Sequence, residues 1–158
     1  MSLHSMRILV VATSIMLAGG AAFSAGHHHE GHETAKPVMN DGRKWPTDAP
    51  LRQGMDGISS ALQPRLHAVH DNRLAVAQYR ALAKTVNAQV SLIVASCKLP
   101  PEADVQLHLV VADLIAAAEA MAGQNKSLSR RDGALLLAQA LQAYGDRFEH
   151  QNWQFVAE

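Results

Sequence analysis

The sequence predicts an all-α protein: an up-down-up-down four-helix bundle that follows a disordered N-terminal arm. Hydrophobic residues make up 48% of the 158-residue chain, but aromatic residues make up only 4%. A core built mainly from Ala, Leu and Val suits closely packed helices better than a β-sandwich. Four segments carry apolar residues at spacings of three and four, and the short connections between them favour antiparallel neighbours.

The first predicted helix covers residues 48–70, with Thr47 or Asp48 as its N-cap. Pro64 should bend or interrupt it, because proline has no backbone N–H to donate within a helix. The second predicted helix follows the next turn and ends before the prolines at positions 100 and 101.

The third predicted helix begins at Pro101, with acidic residues in its first turn, and ends in a loop that opens with Gly123. The fourth covers residues 129–153. Ser129 followed three residues later by Asp132 resembles a capping box and marks its start. The bundle domain as a whole is predicted to cover residues 48–158.

The N-terminal third of the chain is predicted to contain two further segments. Residues 1–25 have the pattern of a secretory signal peptide, with His4 and Arg7 before an apolar run at residues 8–20 and small residues after it. That run is too short to span a bilayer. We therefore expect a soluble, periplasmic protein with no membrane association after cleavage, and a flexible, histidine-rich arm at residues 26–47.

Charge and motif content exclude several classes of function. The 14 basic and 14 acidic residues cancel, so the sequence does not favour a nucleic-acid partner. It contains no GxSxG or HExxH motif and no glycine loop of the kind that binds phosphate. The sequence therefore predicts a protein that is not an enzyme.

The predicted arm holds a cluster of histidines, which are good ligands for copper, nickel and zinc. Cleavage after Ser24 or after Ala25 would leave histidine at the third position of the mature chain. The terminal amine, two backbone nitrogens and the imidazole could then form a square-planar site. The candidate metal ligands of the arm are His27, His28, His29 and His32.

One end of the predicted bundle gathers a second set of candidate ligands. Met55, Cys97 and His108 lie on or near the apolar stripes of their helices, and together they form a soft ligand set that suits copper better than magnesium or calcium. His150 reaches the same end, but helical periodicity places it at the edge of a polar face. A kink near Gly145 could turn it inward.

Two short segments at this end resemble the soluble periplasmic b-type cytochromes of the cytochrome b562 kind. Residues 51–55 (LRQGM) are similar to the opening helix of that family, and residues 148–153 (FEHQNW) look like its closing segment. The resemblance implies noncovalent haem b, held by Met55 and His150, and one-electron transfer.

Three hypotheses about function follow. The first is an exported copper-binding or other transition-metal-binding bundle for sequestration or delivery, with a periplasmic redox or metal-transport protein as partner. The second is the haem b electron carrier. The third is a structural or partner-binding bundle without a cofactor, because every interior residue also has a packing explanation.

Overall fold

The computed structural model describes residues 36–157, which lie within one compact unit. Over these residues the regular secondary structure is helical, and the only β-type pairs are two isolated bridges, so the all-α class is confirmed for this part of the chain. The predicted signal peptide and the histidines of the arm lie outside the described residues. The helices are α1 (Ala49–Leu62), a 3-10 turn (Gln63–Arg65), α2 (Leu66–His70), α3 (Val76–Ser96), α4 (Pro101–Ala122) and α5 (Arg130–Arg147).

The first predicted helix is divided at Pro64, as its sequence predicts. Asp48 caps α1 by accepting a hydrogen bond from the backbone N–H of Leu51. Pro64 lies in the 3-10 turn between α1 and α2, where a tighter turn accommodates a residue without an N–H. The two α-helical pieces still bury a common apolar stripe: Leu51, Met55, Ile58, Leu62, Leu66 and Val69.

Helix α4 has the most apolar sequence of the helices. Its neighbours α3 and α5 both pack against it. By length and composition alone, it is the one helix within residues 36–157 that could cross a membrane. The helix ends at Gly123, whose backbone has the left-handed φ of 84° that glycine adopts without strain.

Helix α5 begins where the capping box predicts and ends earlier than its periodicity predicts. Ser129 and Asp132 accept hydrogen bonds from each other's backbone N–H groups. The helix stops at Arg147, six residues before Trp153, because the chain becomes extended at Phe148. There it pairs in parallel with Trp45, whose N–H donates to Arg147 O at 2.7 Å and whose carbonyl accepts from Glu149 N at 2.8 Å.

The residues after α5 form a C-terminal tail (residues 148–157) that runs beside α1. Near its start, His150 faces Asp56. Near its end, the carbonyl of Val156 accepts a hydrogen bond from Gln63. Phe148 and Phe155 are buried within the tail. The tail therefore adds apolar surface to the core next to α1 and α5.

The residues before α1 form an N-terminal strap (residues 36–47) that is attached to α4. Gln106 is 3% exposed; its Oε1 accepts from Val38 N at 2.9 Å, and its Nε2 donates to Lys36 O at 3.3 Å. The indole N–H of Trp45 donates to Val38 O. The attached chain thus begins well before Trp45, whereas the sequence predicts a flexible arm up to residue 47.

Candidate functional site

The predicted ligands of the bundle lie near the end where α1 begins and α3 ends. Asp48 joins these two helix ends, since its Oδ1 caps α1 and its Oδ2 accepts from Lys98 N at 2.6 Å, just after α3. The paired Trp45 and Phe148 belong to the same region. Four predicted ligands can be placed there individually, namely Met55, Cys97, His108 and His150.

Cys97 and His108 line the same cleft between α3 and α4. The cleft has a volume of about 270 Å³, and its other walls are mostly apolar. Asp104 contributes a carboxylate to it. The structure therefore brings a thiol, an imidazole and a carboxylate to one cavity. The sequence predicts the thiol and the imidazole as ligands, but not the carboxylate. The remaining lining residues are Ile93, Val94, Leu107 and Val111.

His108 presents its ring in an orientation that suits metal ligation. Its Nδ1 lies 2.8 Å from the backbone carbonyl oxygen of Asp104, and its side chain is 72% exposed. In the tautomer whose Nδ1–H donates to this carbonyl, Nε2 carries a lone pair. Histidines that bind metals commonly make such a hydrogen bond through their second ring nitrogen.

Cys97 is held as a protonated thiol by its surroundings. Partial burial, together with the charge of Asp48 and a hydrogen bond to its carboxylate, raises the pKa of Cys97 to about 12. Burial acts to raise the pKa of Asp48 as well, but hydrogen bonds from the N–H groups of Lys98 and Leu51 hold it below its usual value. A metal ion at Cys97 would have to displace the thiol proton.

Met55 is completely buried in the core, as its position on the apolar stripe of α1 predicts. It does not line the cleft of Cys97 and His108. The donor atoms of that cleft therefore come from α4 and the end of α3.

The side chain of His150 is enclosed by its neighbours, so its predicted position on a polar helix face is wrong. Its side chain is only 5% exposed. Since α5 continues through Gly145 and ends at Arg147, helical phase no longer applies to His150, and the extended backbone at Phe148 directs it inward. Its ring contacts Tyr144 and Trp153, with centroid distances of 5.8 and 5.1 Å.

Both ring nitrogens of His150 face polar groups. Nδ1 lies 3.0 Å from the hydroxyl of Tyr144, and Nε2 lies 3.5 Å from Oδ1 of Asp56. Burial lowers the pKa of His150, although the charge of Asp56 acts to raise it. The nitrogen that would bind a haem iron in the cytochrome hypothesis thus faces a carboxylate.

Sequence reasoning did not identify three residues of this region. Asp56 follows Met55 on the exposed side of α1, and Tyr144 lies on a buried stripe of α5 that by itself indicates only packing. Gln106 carries no motif that marks it.

Within residues 36–157 no group of three or more His, Cys, Asp or Glu side chains is arranged to hold a metal ion. Comparison of the chain with protein-family models, curated proteins and solved structures found no match.

Proposed function

We propose that this protein is an exported, non-enzymatic four-helix bundle that binds a transition-metal ion, with copper preferred, for sequestration or delivery. The observation that carries the proposal is the cleft shared by Cys97 and His108, where the second imidazole nitrogen is left for a ligand. Thiolate and imidazole are donors that suit copper, in particular Cu(I).

The up-down-up-down arrangement in this proposal is supported by contacts at both ends of the helices. Asp48 links the start of α1 to the end of α3, and Gly54 lies so close to α3 that an added Cβ would meet Ile93 at 2.5 Å. At the other end, Arg131 in the first turn of α5 donates to the carbonyls of Val69 and His70. Neighbouring helices that meet in this way run antiparallel.

The arm histidines are the second part of the proposed site. Lys36 is attached to α4 through Gln106, and His32 precedes it by four residues. His27, His28, His29 and His32 would capture ions near the helix that carries His108, and a periplasmic redox or metal-transport protein would exchange them.

A Cu(I) titration against a chromophoric chelator under anaerobic conditions tests the proposal. The mature chain is compared with Cys97→Ser, His108→Gln and a form in which the four arm histidines are replaced by Gln. Each change should weaken or remove part of the binding. His67→Gln, which alters an 86%-exposed histidine on α2, is the matched control and should bind like the unaltered chain.

Two outcomes would contradict the metal proposal. Binding no tighter than micromolar by the full mature chain would leave the structural or partner-binding bundle as the better hypothesis. A Soret band after reconstitution with haem, lost in Met55→Ala or His150→Gln, would favour the b-type cytochrome. These results are distinguishable because haem absorbs in the visible range and Cu(I) does not.

A further inference from the structure

His150 and Asp56 bring an imidazole nitrogen and a carboxylate oxygen together where the C-terminal tail crosses α1. The two atoms, Nε2 and Oδ1, are 3.5 Å apart. This is slightly longer than the usual N–H···O hydrogen bond of about 2.7–3.2 Å, so Nε2–H forms only a weak hydrogen bond to Asp56 when it carries the proton. Two ligand atoms bonded to one tetrahedral zinc ion at about 2.0–2.1 Å are about 3.4 Å apart. The spacing therefore matches one edge of a metal coordination shell.

The imidazole of His150 is already held in a ligating orientation. The Tyr144 hydroxyl fixes Nδ1 at 3.0 Å, and Trp153 packs against the ring. A metal ion that displaces the Nε2 proton would bind the lone pair directed towards Asp56, and Nδ1–H would then donate to the hydroxyl oxygen. A second-shell partner of this kind sets the tautomer of metal-binding histidines, and a ring that is already ordered loses little entropy on binding.

Access and charge also permit a cation here. The side chain of Asp56 is 60% exposed, so an ion can reach the carboxylate from solvent. Burial lowers the pKa of His150, which favours the neutral imidazole that a metal ion binds. Arg52 is the nearby positive group that opposes a cation, but its guanidinium is hydrogen-bonded to the carbonyl and hydroxyl of Thr47.

We propose that His150 Nε2 and the Asp56 carboxylate form a binding site for a divalent transition-metal ion of the zinc or nickel class, with water completing its coordination. The site is separate from the Cys97 and His108 cleft and does not depend on it. The other His–Asp pairs described, at residues 67 and 71 and at residues 104 and 108, have imidazoles that are 86% and 72% exposed, so neither ring is enclosed by neighbouring side chains as the ring of His150 is.

Fluorescence of Trp153 provides a local readout. The chain contains two tryptophans, so Trp45→Phe leaves Trp153 as the only indole, and its ring centroid lies 5.1 Å from that of His150. The full chain carries this change together with Gln in place of His27, His28, His29 and His32. Titration with Ni²⁺, a paramagnetic ion, should quench Trp153 saturably, and diamagnetic Zn²⁺ should restore the emission by competition.

Asp56→Asn decides the assignment, because it changes an exposed side chain and leaves the packing of His150 in place. It should weaken Ni²⁺ quenching at least tenfold, while Asp71→Asn, the matched change in the exposed His67 pair, should have no effect. Equal quenching in Asp56→Asn, or no saturable quenching in the parent, would overturn the proposal. If Trp45→Phe does not fold, the chain that retains Trp45 is titrated with Zn²⁺ and the ¹⁵N chemical shift of His150 Nε2 is measured. A saturable change that Asp56→Asn weakens would support the site, and an unchanged shift would overturn it.

Discussion

At the scale of single residues, the role of Gly145 depends on a residue of the C-terminal tail. Glycine inside a helix is less favourable than alanine by about 1 kcal/mol, so local propensity alone would select alanine in α5. The indole of Trp153, however, lies directly over this position, and an added Cβ would be 2.4 Å from Nε1. The absence of a side chain therefore allows the C-terminal tail to pack on α5.

Gly145→Ala should lower the free energy of unfolding by about 1–3 kcal/mol, the usual cost of overpacking a core. The measurement is urea denaturation followed by circular dichroism. Gly57→Ala is the matched control in α1, since its added Cβ would meet only the movable end of the Gln89 side chain. A Gly145→Ala protein as stable as the control variant would show that Trp153 does not require this glycine.

At the scale of helices, the start of α5 illustrates a local signal that tertiary structure leaves unchanged. The hydroxyl of Ser129 donates to the Asp132 carboxylate, which lowers the pKa of Asp132 below its ordinary value of 3.8. Because the folded state favours the ionised form, this stabilisation is complete above pH 3.8 and is lost as the pH falls through the lower folded pKa.

Ser129→Ala should destabilise the protein by about 1 kcal/mol at neutral pH, the typical value of an N-cap. Asp132→Asn should also destabilise it at neutral pH, and its difference from the unaltered chain should shrink on acidification below pH 3.8. Denaturation curves at several pH values measure both effects. Asp113→Asn, on the exposed side of α4, is the control. If the difference in stability between Asp132→Asn and the unaltered chain grew in acid, the stabilising role of ionised Asp132 would be contradicted.

The attachment of the N-terminal strap to α4 depends on one buried side chain. Gln106 serves as both donor and acceptor to the strap backbone, so alanine at this position would leave two backbone groups without partners. Losing such contacts at a partly buried site costs about 1–3 kcal/mol.

Gln106→Ala should release the strap without unfolding the helices. Limited trypsin digestion should then cleave faster at Arg43 and Lys44, with the helical circular dichroism unchanged. Gln139→Ala, an exposed glutamine on α5, is the matched control. Equal cleavage rates in the two variants would show that Gln106 does not hold the strap.

At the scale of the whole molecule, the tail completes the core beside α1 and α5. Phe148 is fully buried and Phe155 is 6% exposed, and Trp153 contacts both Tyr144 and His150. Burying each large apolar side chain contributes about 1.5–3 kcal/mol. The stability of the bundle should therefore depend on residues that follow its last helix.

A chain ending at Arg147 should lose at least about 3 kcal/mol of stability, since removing a single buried aromatic side chain already costs about 3–5 kcal/mol. Thermal unfolding and denaturant titration measure the loss. A chain ending at Val156 retains the aromatic residues and the Gln63 contact, so it should resemble the full chain. A fully cooperative, equally stable protein ending at Arg147 would contradict this role.

Much of the helical architecture could be predicted because its signals are local. Pro64, the Pro100-Pro101 pair, Gly123 and the Ser129 capping box act within one or two turns and mark most boundaries correctly. Apolar spacing also identified Met55 as core. These features depend on neighbouring residues, so a linear sequence contains the information needed to find them.

The sequence by itself therefore determined the helical class, most helix limits and the buried stripes, because periodicity and capping act over a few residues. Only the tertiary structure decided the end of α5, where pairing with Trp45 overrides a periodicity that continues to Trp153. That early end turns His150 into the interior against Asp56 and Tyr144. The contacts that end α5 and bring Asp56 to His150 join residues about 100 positions apart, and contacts at that separation leave no periodic signal in a sequence.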